Sequence, residues 1–182
     1  MLEFAIQQKT PTFIRYPRGS SENIHPRTKG RTIELGEAEV RLSGEQISIW
    51  ALGEFVSLAE SVAKRIEMNF GIKLSVVNAR FVKPLDSELL FSHAKSHQKI
   101  ITIEDNVVGG GFGSAIIEAL NDAGVTIPVL RLGWPDEFIP HGSSITPLRK
   151  EYQLDANSVY KEILTQLNLT ELNKSFAPLN IV

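Results

Sequence analysis

The chain of 182 residues contains no cysteine, which excludes disulfide bonds, thiol catalysis and thiolate-bound metal sites. Neither sign of charge dominates, because 19 basic and 21 acidic residues leave a formal net charge of -2. This balance gives no support to binding of nucleic acid or of an acidic membrane surface. We find no apolar run long enough to span a bilayer and no signal peptide at the N-terminus. The composition therefore predicts a cytoplasmic protein with one ordinary domain.

Alternating apolar and polar stretches predict a hairpin, followed by strands that alternate with helices. Residues 37–42 and 47–52 flank a short turn that contains Gly44, a pattern typical of a hairpin. Further strands are predicted at 73–79, 99–105 and 128–134, separated by helical patterns. This order predicts an α/β fold: a mostly parallel five-stranded sheet with one antiparallel edge strand and helices on both faces.

Capping residues mark the ends of the predicted helices, because aspartate and threonine favour helix starts and glycine favours helix ends. A proline at the first helical position is a further start signal. The residues assigned to these roles are Gly71 after a helix at 55–69, Asp86 before one that runs to 97, Thr146 with Pro147 before another, and Asp155 before the last, which runs through 167.

The glycine-rich stretch at 109–113 lies between a predicted strand and a predicted helix, as dinucleotide-binding loops do. Its spacing differs from G-x-G-x-x-G, because Ser114 occupies the position of the third glycine. We favour the alternative that the glycines allow the helix to approach its strand, or a neighbouring subunit, closely. Glu104 and Asp105 end the preceding strand and point to opposite faces, so we expect them to cap the loop and not to form an acid–base pair.

Two histidines, His93 and His97, lie one helical turn apart and could share a metal ion. No glutamate follows His93 as in H-E-x-x-H, and no third ligand is evident nearby. We therefore expect both side chains to face solvent near a helix C-terminus, where a cation is favourable.

Two arginines flank Tyr16 and Pro17 in FIRYPRGS, residues 13–20. Arg15 and Arg18 are candidate anion-binding residues, because the planar guanidinium suits a phosphate bidentately. Pro17 restricts the backbone between them, and Gly19 allows a ligand to approach the main chain. Salt bridges from both arginines to a neighbouring domain are the alternative, and the residue types alone favour neither.

Four stretches, FIRYPRGS, NARFVKPLDSELL, TIEDNVVGGGFGSAIIEAL and LRLGWPDEFIPHGS, occur in this order along the chain. Together they resemble the C-terminal part of the deoxyxylulose-5-phosphate synthases, thiamine diphosphate-dependent enzymes of the transketolase family. The resemblance implies that residues 1–30 are the end of a pyrimidine-binding domain and a linker. It implies that residues 31–170 form a transketolase C-terminal domain and that residues 171–182 are a tail.

The resemblance also implies a transferase that condenses pyruvate with glyceraldehyde 3-phosphate, releasing CO2, in isoprenoid precursor, thiamine and pyridoxal biosynthesis. Arg18 matches the family's phosphate-binding arginine and Arg15 the first arginine of the same motif, so both are assigned to the substrate phosphate. No catalytic residue is assigned within the chain. The full-length enzyme is expected to be a homodimer that uses thiamine diphosphate and Mg2+. The family's residues for this cofactor belong to N-terminal and pyrimidine-binding domains missing from the sequence, so we expect an inactive fragment that binds neither group.

Two other functions stay open. The first is a stand-alone dimerisation or regulatory module that uses the glycine loop. The second is the C-terminal piece of a transketolase or of a 2-oxo-acid dehydrogenase β subunit that acts on another acceptor.

Overall fold

The computed structural model describes residues 1–16, 33–141 and 144–169, and within these ranges the chain forms six helices and five strands. The strands are β1 (Glu39–Leu42), β2 (Ile47–Ala51), β3 (Ser75–Asn78), β4 (Lys99–Val107) and β5 (Val129–Trp134). The helices are α1 (Leu2–Gln7), α2 (Phe55–Phe70), α3 (Ser87–Ser96), α4 (Phe112–Asp122), α5 (Ile145–Glu151) and α6 (Ala156–Gln166).

The five strands form one sheet in the order β1-β3-β2-β4-β5. β1 is antiparallel to β3, whereas the other neighbouring pairs are parallel, which confirms the predicted sheet with one antiparallel edge strand. The predicted hairpin is wrong, because β1 pairs with β3 and not with β2. All of β2 is buried and parallel strands occupy both of its edges, so β1 has no free edge of β2 to join.

Gly44, which suggested a hairpin turn, instead lies where two segments of main chain pass close to each other. The Gly44 amide donates to Ser75 Oγ at 2.9 Å, and the Glu45 amide donates to the Lys73 carbonyl at 3.3 Å. A Cβ atom at Gly44 would overlap the main chain of Lys73 and Leu74. Glycine therefore lets the chain pass against the start of β3 on its way to the centre of the sheet.

Helices cover both faces of the sheet, as predicted. α2 and α6 pack on one face, and α3 and α4 pack on the other. The first core contains the buried strand residues Ile47, Ile49, Ala51, Val76, Ile101 and Ile103, and the second contains Trp50, Val77 and Ile100.

Most of the predicted helix ends are confirmed. Gly71 has φ +70 after α2, Asp86 accepts a hydrogen bond from the Leu89 amide before α3, and Asp155 caps α6. Thr146 is not a cap, because α5 begins at Ile145 and its N-cap is Ser144. Amides throughout the first helical turn lack an intrahelical acceptor, so a proline there does not mark the first residue.

The N-terminal helix α1 contacts the rest of the molecule through an aromatic pair. The rings of Phe4 and Phe81 lie 5.6 Å apart, edge to face. Residues 17–30 of the predicted domain end and linker, and the predicted tail at 171–182, lie outside the described residues, and the domain boundaries stay a prediction. None of the helices in the described part of the chain has the length and apolar character needed to cross a membrane.

Candidate functional site at the carboxyl end of β4

The candidate site is built around an irregularity at the carboxyl end of β4, the edge at which open parallel sheets bind ligands. The pairing of β4 with β5 shifts register between Ile103 and Val107. We call residues 104–106 the β4 bulge. A bulge redirects side chains and releases main-chain groups from the ladder. The chain then continues through the glycine loop at 109–113 into α4.

Glu104 caps α4 from within the core. Its side chain is only 1% exposed, and its carboxylate accepts hydrogen bonds from the amides of Phe112 at 2.6 Å and Gly113 at 2.8 Å. Amides at a helix N-terminus lack intrahelical partners and favour a negative charge. The predicted capping role is confirmed for Glu104. Because the carboxylate already occupies these donors, a nucleotide phosphate cannot use them.

The glycines of the loop allow the close approach that this cap requires. A Cβ atom at Gly111 would overlap the Glu104 carboxylate, and one at Gly113 would lie 2.5 Å from Thr102 Oγ1. A Cβ atom at Gly109, in contrast, would meet nothing within 4 Å. Ser114, at the position of a third glycine, donates to the Val108 carbonyl at 3.0 Å. These contacts support the interpretation that the loop serves helix-to-strand packing.

Asp105 does not cap the loop, so that expectation is wrong. Its Oδ1 accepts a hydrogen bond from Trp134 Nε1 at 2.7 Å and lies 3.7 Å from an amino group of Arg149. Its main-chain carbonyl accepts a hydrogen bond from the Arg15 guanidinium. Adjacent strand residues project to opposite sides, which is why Glu104 serves α4 while Asp105 serves other elements.

Sequence reasoning did not identify Arg149 as part of the site. In the structure its side chain is only 16% exposed. It binds both carboxylate oxygens of Glu54, at 3.1 and 2.5 Å, and its guanidinium lies 4.7 Å from the centre of the Phe55 ring. Glu54 is 95 positions away in the chain. No local pattern signals a pairing over such a distance.

Of the two predicted anion-binding arginines, the structure describes one. Arg15 lies at the β4 bulge with one donor on Asp105. Arg18 lies outside the described residues. Binding of the substrate phosphate by either arginine stays a prediction.

The histidine pair lies at the other end of the strands, beside the first residues of β2 and β3. The expectation that both face solvent is wrong for His93, which is 8% exposed and whose Nδ1 lies 2.7 Å from Ser48 Oγ. His97 stacks on it at 4.7 Å and hydrogen-bonds Ser75 Oγ at 2.9 Å. Burial, assisted by the charge of His97, lowers the pKa of His93 from 6.5 to about 4. In the part of the chain that the structure describes, no group of three or more His, Cys, Asp or Glu could hold a metal ion.

The fold and the sequence together place the chain in a known family. Residues 36–159 match the transketolase C-terminal domain, and the chain belongs to that family. The 1-deoxy-D-xylulose-5-phosphate synthase of Heliobacterium modesticaldum is 42% identical over 159 residues, covering 87% of this chain and 24% of that protein. The synthase of the same name from Caldanaerobacter subterraneus subsp. tengcongensis is 47% identical over 154 residues, covering 85% and 24%. The chain therefore spans about a quarter of the length of these relatives.

Solved structures agree with this assignment. A split gene transketolase, described as an inactive beta4 tetramer, superimposes with a TM-score of 0.67 at 34% identity, covering 75% of this chain and 44% of that one. A transketolase from Pichia stipitis gives a TM-score of 0.51 at 17% identity, covering 78% and 20%. This second likeness shows the shared fold.

Proposed function

We propose that the chain is the C-terminal part of a 1-deoxy-D-xylulose-5-phosphate synthase. That enzyme condenses pyruvate with glyceraldehyde 3-phosphate, releases CO2, and supplies isoprenoid precursor, thiamine and pyridoxal biosynthesis in the cytoplasm. Relatives of that name, which match over most of the chain, support the proposal. The structural observation that carries it is the contact of Arg15 with Asp105, because it places the first arginine of the FIRYPRGS motif at the carboxyl ends of the strands.

Arg18 and Arg15 are proposed to bind the phosphate of the acceptor aldehyde. Within the described part of the chain, Arg15 bonds to the Asp105 carbonyl, and a guanidinium has five N–H donors, so donors are left for an anion. Arg18 follows three positions later, with Pro17 and Gly19 beside it. Holding the phosphate at this point orients the aldehyde carbonyl toward the reacting carbon, which is how positioning accelerates a bimolecular step.

The residues described here do not fit thiamine diphosphate or Mg2+. The first-turn amides of α4, which a diphosphate would need, are bonded to Glu104, and residues 1–16, 33–141 and 144–169 provide no metal cluster. We therefore assign cofactor and metal to other domains of a homodimeric full-length enzyme and derive no step through them. The 182-residue chain alone is expected to be inactive and to bind neither group in a calorimetric titration.

A transketolase β-type subunit is the second candidate, because a separate chain of a split transketolase is 34% identical to this one. The synthase is preferred because relatives of that name are 42% and 47% identical. The two candidates differ in acceptor and donor, so product analysis separates them.

A hybrid enzyme tests the proposal. This chain replaces the aligned part of the Heliobacterium modesticaldum synthase, and the truncated relative serves as the blank. We expect the hybrid to form deoxyxylulose phosphate and CO2 from pyruvate and glyceraldehyde 3-phosphate. A folded hybrid that transfers two-carbon units between sugar phosphates instead would establish the transketolase candidate.

A further inference from the structure

We propose that the β4 bulge positions Arg15 through contacts that run from Trp134 and Arg149 to Asp105. Asp105 is then a positioning residue that does not touch substrate. Its effect on the acceptor rests on the proposed function, whereas the contact with Arg15 does not.

The bulge explains why the Asp105 carbonyl is available. A carbonyl in a regular parallel ladder bonds to the neighbouring strand. Between Ile103 and Val107 the register of β4 against β5 shifts, and the carbonyl of Asp105 accepts the Arg15 guanidinium instead. A hydrogen bond from a charged donor is about twice as strong as a neutral one.

The Asp105 side chain is fixed from two other elements. Trp134 at the end of β5 donates its indole N–H to Oδ1 at 2.7 Å, and its ring packs against Tyr152 with centroids 5.5 Å apart. Arg149 of α5 lies 3.7 Å from the same oxygen and is itself held by Glu54. Since both partners are anchored in the domain, the carbonyl of Asp105 has a defined position.

Apolar packing on the segment around Arg15 is limited to Ile14, which is 36% exposed. Phe13 is 98% exposed and Tyr16 is 81% exposed, although both are large apolar side chains. Upstream, α1 is attached through the pair Phe4–Phe81. Among the described residues, Arg15 therefore supplies the polar attachment of residues 13–16 to the domain, beside the packing of Ile14.

Trypsin offers a direct test on the 182-residue chain, because cleavage after Arg15 requires its guanidinium to leave Asp105. Trp134→Phe keeps an aromatic ring but removes the indole donor. We expect about tenfold faster cleavage after Arg15, the change that corresponds to losing one hydrogen bond. Cleavage after Lys9, on the same exposed segment, serves as the internal control and keeps its rate. Equal rates after Arg15 in the two proteins overturn the proposal.

A spectroscopic test uses the two tryptophans of the chain. In a proton–nitrogen correlation spectrum, Trp134→Phe identifies the Trp134 indole signal by its loss. Arg15→Ala is expected to shift that signal while leaving the signal of buried Trp50 in place. Arg41→Ala, which removes another exposed arginine that pairs with Glu60, is the matched control and leaves both signals unchanged. An unmoved Trp134 signal in Arg15→Ala contradicts the proposed contact chain.

Kinetics in the hybrid synthase separate this inference from the proposed function. Trp134→Phe is expected to raise the KM for glyceraldehyde 3-phosphate about tenfold and to leave the KM for pyruvate unchanged. Arg15→Lys, which keeps the charge, restores part of the loss caused by Arg15→Ala. If tryptic protection holds but the hybrid makes no deoxyxylulose phosphate, the proposed function fails and the attachment stands. If the hybrid is active and Trp134→Phe changes neither KM nor cleavage, the positioning role is wrong.

Discussion

Glu104 and Gly113 are joined by a buried hydrogen bond of 2.8 Å, from the Gly113 amide to the Glu104 carboxylate. This bond joins strand β4, near its carboxyl end, to the start of α4. It requires the helix to approach the strand more closely than any side chain at Gly111 or Gly113 would allow. The carboxylate and the glycines therefore form one structural unit.

Alanine substitutions should separate the glycines by position. Gly111→Ala and Gly113→Ala are expected to lower the free energy of unfolding by about 1–3 kcal/mol. A Cβ at Gly111 would overlap the Val107 carbonyl, and one at Gly113 would overlap the side chains of Thr102 and Arg131. Gly109→Ala, whose Cβ meets nothing within 4 Å, is the matched control and should change stability by less than about 0.5 kcal/mol. Urea denaturation measures all three. Similar losses at Gly109 and Gly111 contradict the close-approach interpretation.

Removing the charge of Glu104 should be costly in the same assay. In Glu104→Gln the side chain keeps one acceptor oxygen but turns an amide donor toward the α4 amides. We expect a loss of about 1.5–3 kcal/mol, the range for hydrogen bonds to a charged group. Glu118→Gln, at an exposed position of the same helix, is the control and should be near neutral. A neutral Glu104→Gln would show that the buried carboxylate contributes nothing to the cap.

The buried histidine predicts a pH dependence of stability. Because the pKa of His93 falls from 6.5 to about 4 on folding, the unfolded chain binds a proton between these values that the folded chain does not. The free energy of unfolding should therefore decrease as the pH falls from 6.5 to 4, by on the order of 3 kcal/mol in total. Denaturation midpoints measured across this interval give the slope.

The matched variants for this slope are His93→Gln and His141→Gln. Glutamine at position 93 can still bond Ser48 but does not titrate, so the slope between pH 4 and 6.5 should flatten. His141 is exposed, and its replacement should leave the slope unchanged. The carboxyl pKa values of Asp155 and Glu39 are lowered, so protonation of these groups also reduces the free energy of unfolding in acid. Both variants retain Asp155 and Glu39, so this contribution is the same in each. An identical slope in His93→Gln rules out the assigned origin.

Local features were predictable from the sequence, and pairings over long distances were not. Gly71, Asp86 and Asp155 act within one helical turn, so residue type alone located them. The pairing of β1 with β3 and the partner of His93 depend on segments more than 30 positions away. Because of those contacts, β1 pairs with β3 and not in the predicted hairpin, and His93 is buried and not at the surface.

In the candidate site, too, residue types were predictable from the sequence and long-range contacts were not. The chemistry of Arg15 suggested either an anion or a neighbouring domain, and the structure gives it a main-chain carbonyl 90 positions away. Trp134 and Arg149 carried no recognisable signal, because their role arises only when the β4 bulge brings Asp105 to them. The sequence resemblance supplied the family, whereas the contacts that position Arg15 required the structure.

The central claim is that Arg18 and Arg15 bind the acceptor phosphate, and steady-state constants for both substrates test it most directly. Arg18→Ala in the hybrid synthase should weaken use of glyceraldehyde 3-phosphate about tenfold to a hundredfold, the loss of a charge-assisted contact worth about 1.5–3 kcal/mol. Pyruvate binds and is decarboxylated without a phosphate contact, so its constant should change little, and Arg18→Lys should restore only part of the loss. Arg41→Ala is the control with normal constants. If the constant for pyruvate worsens in Arg18→Ala while that for glyceraldehyde 3-phosphate does not, Arg18 is a structural arginine and the phosphate assignment is wrong.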